Sequence, residues 1–177
     1  MTYDRSLWAE LCTLRFMQSR HHVLLLGPVG AGKTFFANAL GNIACRRGFS
    51  VIMTRAERLS KEFKVSRLDN TYEREMRRVL SVDLLVLDDF GLDRMDATES
   101  RDFYDIAVER HSRGSIVITS NREPAEWLAL MADPIRAQSA VDRLENAAYE
   151  LVLEGESYRK RQKPTFESGV PSPEAAS

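Results

Sequence analysis

Gly27-Pro28-Val29-Gly30-Ala31-Gly32-Lys33-Thr34 decides the reading of this 177-residue chain. The octapeptide follows the apolar run Val23–Leu26 and precedes FFANALGNIACRR (35–47). Strand, glycine-rich loop and helix thus come in the order a phosphate-binding P-loop requires. In such a loop successive N–H groups turn inward toward phosphate oxygens, and side chains would block the approach, which accounts for Gly27, Gly30 and Gly32. The helix beginning at the phosphates adds its partly positive N-terminus to the charge of Lys33. Thr34 offers a hydroxyl to Mg²⁺. Residues Gly27 to Phe35, including Pro28, Val29 and Ala31, are the expected nucleotide contacts.

Downstream, Leu84-Leu85-Val86-Leu87 ends in Asp88-Asp89. Carboxylates at the C-terminal end of a buried parallel strand stand at the edge where such sheets bind ligands. Asp88 suits an Mg²⁺ partner and Asp89 a group that polarises the attacking water. A further strand, Ser115–Thr119, leads through Ser120 to Asn121, whose amide can hold water or the γ-phosphate without carrying charge. Standing alone, Asp or Asn after a strand is an ordinary cap or turn residue. Three polar strand tips at one edge favour the catalytic reading.

Two more apolar segments, Val51–Met53 and Tyr149–Leu153, bring the strand count to five, with helix-like stretches between them. Strands apolar on both faces alternating with helices indicate an α/β fold around a buried parallel sheet. The first such helix is expected to stop near Arg47 with Gly48 at its C-cap. Leu7, Leu11, Leu14 and Phe16 recur at helical spacing, so residues 3–19 read as one amphipathic lead-in helix within segment 1–20. The core is expected over 21–163, and the Pro/Ser/Ala-rich 164–177 reads as a disordered tail.

Composition is that of a globular protein, 44% hydrophobic and 29% charged, with a net charge of −1 that does not advertise nucleic-acid binding. The start MTYDRSLW has no apolar leader region, and no apolar run is long enough to span a membrane. Cys12 and Cys45 lack metal-ligand spacing and read as reduced thiols. The expected location is the cytoplasm.

GPVGAGKT, LLVLDDFG and ITSNREPAEW, followed by ADPIRAQSAVDRL and EGESYR, resemble the IstB-type transposition helper ATPases, relatives of the DnaC helicase loader within the AAA+ class of P-loop NTPases. The resemblance covers about residues 5–163. It implies a three-layer α/β sandwich with parallel strand order 5-1-4-3-2, in which the Asn121 strand lies between the P-loop and acid strands. It also implies oligomer-dependent ATP hydrolysis with Mg²⁺, expected to be slow because Asp89 is one methylene shorter than the usual glutamate, ATP-driven homo-oligomerisation on DNA without sequence preference, and help to a partner transposase. On the motif match, Lys33 and Thr34 belong to Walker A, Asp88 and Asp89 to Walker B, and Asn121 is the first sensor. Arg143 matches the arginine inserted into a neighbouring subunit's site, and Arg159 the second sensor. A planar, permanently charged guanidinium suits developing phosphoryl charge. Two departures stand out. Asp89 replaces the glutamate common in AAA+ enzymes, and only 26 residues precede Gly27 where the family carries a helical region. The second is expected to reflect a truncated copy, a misplaced start or a core-only variant.

Between the second and acid strands, residues 55–78 carry Lys61, Lys64, Arg74, Arg77 and Arg78 among interspersed acids. Composition alone describes a mixed, solvated face with internal ion pairs. The family resemblance makes these five residues candidates for phosphate-backbone contacts, with Arg159–Lys163 as a second basic cluster. Other readings are a DnaC-like loader acting in DNA replication, a small-molecule P-loop kinase and a non-catalytic ATP-binding remnant. The polar TSN tip has no evident task in a kinase, and REPAEW with AVDRL leans toward the transposition helper.

Overall fold

The computed structural model describes residues 2–155. Arg159, the 159–163 cluster and the 164–177 tail lie outside the described residues.

Five strands, β1 (His22–Leu26), β2 (Val51–Arg55), β3 (Leu84–Phe90), β4 (Ser115–Ser120) and β5 (Ala148–Val152), form one sheet in the order β2-β3-β4-β1-β5. All four pairings are parallel. This is the expected 5-1-4-3-2 order read from the other edge, and it sets the P-loop strand beside the strand that leads to Asn121. The helices are α1 (Arg5–Cys12), α2 (Arg15–Gln18), α3 (Lys33–Arg46), α4 (Ala56–Leu68), α5 (Tyr72–Ser81), α6 (Ala97–Arg110), α7 (Pro124–Trp127) and α8 (Pro134–Asn146), with a 3₁₀ turn at Leu128–Leu130.

Strand alternation divides the core into two layers. Leu24, Leu26, Leu85, Leu87, Ile116 and Ile118 face one way, against α4, α5, α6 and α8 through Leu59, Phe63, Met76, Phe103 and Leu144. Val23, Leu25, Leu84, Val86 and Val117 face the other, against α1, α2 and α3 through Leu11, Phe16, Phe36 and Leu40. Each such fully buried aliphatic side chain contributes about 1.5–3 kcal/mol. The three central strands are apolar on both faces as expected. The edge strands differ: β2 leaves Met53 40% exposed and β5 leaves Val152 44% exposed, because an edge strand has less helix above and below it.

The lead-in segment departs from a single helix. It breaks at Leu14, which adopts φ +61°, and so turns Leu14, Phe16 and Met17 together into the second core layer. Gly48, at φ +86°, ends α3 near the expected place: its N–H donates to the Cys45 carbonyl while Phe49 N–H reaches Ala44.

At the strand ends away from the P-loop, fully buried Arg110 ties β3 and β4 to α5. Its guanidinium donates to the carbonyls of Val79, Leu80, Val82, Asp83 and Ser115 at 2.7–3.2 Å. Burial lowers its pKa to about 10, partly opposed by the charge of Asp83. Gly114 belongs to the same junction, since a Cβ there would stand 2.7 Å from the guanidinium.

Candidate nucleotide site

The P-loop joins β1 to α3 and closes against the end of β5. Gly27 adopts φ +144°, and an added Cβ would lie 2.2 Å from the Leu153 carbonyl oxygen. No side chain fits there. Gly32, at φ +92°, is the residue from which α3 starts. The unpaired N–H groups of the first helical turn therefore begin at Lys33. Lys33 is 5% exposed, and its Nζ donates to the carbonyls of Gly27 and Pro28 at 2.8 Å each. Burial pulls its pKa below the ordinary lysine value, while the charges of Asp89 and Asp88 push it up. Val29 and Phe35 are largely exposed at the rim of the loop.

Thr34 Oγ1 donates to the Asp88 carboxylate, 3.0 and 3.1 Å from its two oxygens, linking the start of α3 to β3. A hydroxyl beside a single carboxylate is a hard-oxygen donor set that fits Mg²⁺ completed by water and phosphate oxygens. Among the described residues no group of three or more His, Cys, Asp or Glu gathers as a self-contained metal site. A cavity of about 600 Å³ opens beyond Thr34 and Asp88, its far wall carrying Arg55, Arg58 and Lys61.

The acid strand is irregular where the acids sit. Leu87 pairs with Ile118, yet the next pairing is Phe90 with Ser120, so Asp88 and Asp89 together oppose Thr119. This is a β-bulge, with Asp89 in the left-handed region at φ +56°. In a regular strand consecutive residues face opposite sides; here both half-buried carboxylates act on Lys33. Fully buried Thr119 spans the bulge: its Oγ1 lies 2.6 Å from Asp88 Oδ1 and accepts the Asp89 N–H at 2.9 Å. Ser120 Oγ donates to the Phe90 carbonyl and accepts from Trp127 Nε1. Arg55, at the end of β2, brings Nε to 4.0 Å from Asp89 Oδ2. Neither Thr119 nor Arg55 stood out in the sequence. A hydroxyl interrupting the apolar SIVIT strand, two residues before Asn121, was the available signal for Thr119.

Asn121 follows directly on β4 and is half-buried. Arg143 lies on α8, where Nη1 donates to the carbonyl of Ser139 at 2.9 Å and also contacts its hydroxyl. It is thus folded along its own helix. Of the five candidate DNA-contacting cations, four have acidic partners. Lys61 pairs with Glu57, Lys64 with Asp96 and Glu99, Arg74 with Glu75, and Arg78 with Glu75 and Glu62. Arg77 is exposed on α5. Arg67 has a structural task, making a bidentate pair with buried Asp102, which also accepts from Tyr72.

Comparison with known proteins fits this geometry. The family profile described as IstB-like ATP binding protein matches residues 2–165. A Mycobacterium tuberculosis protein named as an ATP-binding protein in an insertion sequence is 33% identical over 88% of this chain and 62% of its own length. A Pseudomonas aeruginosa counterpart, named for insertion sequence IS21, is 34% identical over 90% of this chain and 60% of its own. The chain therefore spans about six-tenths of these relatives. Among solved structures, AMPPCP-bound DnaA from Aquifex aeolicus superposes with a TM-score of 0.71 at 26% identity, covering 84% of this chain and 46% of that one. The DnaC helicase loader superposes at 0.69 and 20% identity, over 82% and 88%, a likeness of fold. The sheet order, the P-loop and the family match agree: the chain belongs to the IstB-like ATP-binding proteins, a P-loop AAA+ family associated with insertion sequences.

Proposed function

We propose that the protein is an ATP-hydrolysing helper of an insertion-sequence transposition system, which assembles on DNA with ATP and assists a transposase. The observation that carries this reading is the contact of Thr34 with Asp88 across 54 positions, at the strand edge that also bears Lys33 and Asp89. On this reading Lys33 exchanges the Gly27 and Pro28 carbonyls for β/γ-phosphate oxygens, and the loop N–H groups hold the remainder. Thr34 and Asp88 hold Mg²⁺, which when bound neutralises charge developing on the phosphates. Asp89 orients and polarises the attacking water, and Asn121 steadies the water or the γ-phosphate. Arg143 leaves Ser139 to reach a neighbouring subunit's phosphates, and Arg159 contacts nucleotide in its own subunit.

DNA contact is assigned to the α4–α5 face through Arg77 and the ion-paired Lys61, Lys64, Arg74 and Arg78. Exposed pairs of this kind contribute only about 0–1 kcal/mol, so phosphates can replace their acidic partners. A loader in DNA replication is the second reading. The match to insertion-sequence proteins at 33–34% identity favours the first, since DnaC shares the fold at 20%. Phosphate release from ATP by the full chain, with and without duplex DNA over a range of salt, tests the proposal. Stimulation by DNA of any sequence that fades with salt is expected. No release under any condition sinks the ATPase assignment.

A further inference from the structure

We propose that Thr119 is the positioning residue of the two-carboxylate edge, holding Asp88 for the cation and Asp89 for the water through one hydroxyl. The inference rests on the reading of the site as an Mg-ATP site. A threonine hydroxyl has one proton to donate and lone pairs to accept with. Both capacities are engaged: the proton goes to Asp88 Oδ1 at 2.6 Å, and the Asp89 N–H is accepted at 2.9 Å. The contact to a carboxylate is charge-assisted, hence short and directional. Thr119 is also the single residue that faces the two-residue bulge, and it is fully buried, so water cannot take over either bond. Asp88 in turn receives the Thr34 hydroxyl, which leaves the Thr34 lone pairs free for a cation. The chain of contacts Asp89–Thr119–Asp88–Thr34 thus transmits the rigidity of β4 to both acids and to the P-loop helix.

Ser120 supplies an internal comparison. It braces the same bulge by donating to the Phe90 carbonyl, yet its described contacts include neither carboxylate. A merely structural contribution should be shared by both hydroxyls. A positioning role should be confined to Thr119.

The test is magnesium titrated into the ATP-saturated full chain, followed by melting temperature, alongside steady-state turnover. Thr119→Val keeps the shape and removes the hydroxyl. The magnesium concentration for half-maximal stabilisation should rise at least about tenfold and kcat fall about 10–100-fold, the usual cost of removing a group that orients a metal ligand. Affinity for ATP without magnesium should stay within about threefold of the parent, because the P-loop contacts are untouched. Thr119→Ser, which retains the hydroxyl, should restore the magnesium requirement; Ser120→Ala should lower the melting temperature with that requirement unchanged. If Thr119→Val takes up magnesium like the parent, the assignment is wrong. If Thr119→Val does not fold, Thr119→Ser decides: a tenfold shift there overturns the role of the hydroxyl. A parent chain that shows no response to Mg-ATP removes the nucleotide site itself, and the Thr119 assignment with it, an outcome recognisable before any variant is made.

Discussion

Gly27 lies directly beneath the carbonyl of Leu153, 126 positions later, with room for a hydrogen and none for a methyl: a Cβ would stand 2.2 Å from that oxygen. Leu153 N–H in turn donates to the Leu26 carbonyl at 2.8 Å. The last described strand therefore closes the phosphate loop from outside. Gly27→Ala must displace either the loop or the end of β5 and also carries the strain of φ +144°. A loss of about 2–4 kcal/mol of stability is expected, with nucleotide response abolished. Denaturant unfolding with and without ATP measures both. A variant as stable and as responsive as the parent would show that β5 does not shape the loop.

Lys33 is held by two loop carbonyls at 2.8 Å and is ready to trade them for phosphate oxygens. A ligand at about 100 times its dissociation constant stabilises the folded chain by about 2.7 kcal/mol, or roughly 5–10 °C in a domain of this size. Lys33→Ala should lose that shift and melt near the ligand-free parent. Lys33→Arg should recover little, since a planar fork cannot occupy the seat of a compact ammonium. Equal stabilisation of parent and Lys33→Ala by Mg-ATP is the result that removes the P-loop assignment.

The roles proposed for Asp89 and Arg143 predict a site shared between subunits. Arg143 lies along α8 against Ser139, while Asp89 stands at the strand edge with Lys33. An arginine supplied in trans is worth about 10³–10⁵ in rate. Arg143→Ala should bind ATP normally and hydrolyse little, and Asp89→Asn should do the same through loss of the water-orienting carboxylate. Mixing the two, once ATP-dependent assembly has been seen by light scattering, should restore part of the activity. Assembled mixtures that stay inactive rule out Arg143 as the group acting across the interface.

Acid should unfold the protein through His22. The ring is fully buried on β1, and its Nδ1 accepts the Ile116 N–H at 3.1 Å, so the neutral form is the one that fits. Burial, then the positive charges of His111, Arg110 and His21, push its pKa down to about 4. The unfolded chain gains this proton near pH 6.5 and the folded chain only near pH 4, so stability present above pH 6.5 is lost as pH falls through that window. The loss should reach roughly 3 kcal/mol by pH 4. Urea midpoints measured at half-unit steps should show the slope, and His22→Gln, with no proton to gain, should flatten it. A parent profile level from pH 7 to 4 contradicts this account.

The α4–α5 face predicts salt-sensitive, sequence-tolerant DNA binding. Reversing Arg74, Arg77 and Arg78 to Glu should weaken it on every sequence and lower the slope of log affinity against log salt by up to about three. Because Arg74 and Arg78 pair with Glu75, and Arg78 also with Glu62, the triple variant needs a melting-temperature control. Arg77→Glu alone breaks none of those pairs. Binding unchanged in the triple variant leaves this face as a network of internal ion pairs.

The features legible in the sequence are those carried by neighbouring residues. Gly27 to Thr34 announces a turn that excludes side chains and ends in a helix, because backbone conformation depends on adjacent residues. The apolar runs located five strands to within a few residues; for the three central ones the reason is that burial on both faces needs uninterrupted hydrophobicity. Gly48 marked the end of α3 in the same local way. The strand order came from family resemblance, because nothing in the composition of β4 says that it lies between β1 and β3. What only the tertiary structure decided are relations between residues far apart in the chain. Thr119 meets Asp88 and Asp89 through a bulge that depends on how β3 and β4 pair. Gly27 has no room for a Cβ because β5 ends above it, and the lead-in segment breaks at Leu14, where the turn buries Leu14, Phe16 and Met17 together in the core. Charge behaves likewise: the interspersed acids of residues 55–78 suggest internal ion pairs, but only folding selects the partners, setting Lys64 beside Asp96 and Glu99 at the start of α6 and Arg78 beside both Glu75 and Glu62. Local sequence specifies which backbone shapes are available; the register of packed elements, settled by burial over the whole domain, selects which side chains meet.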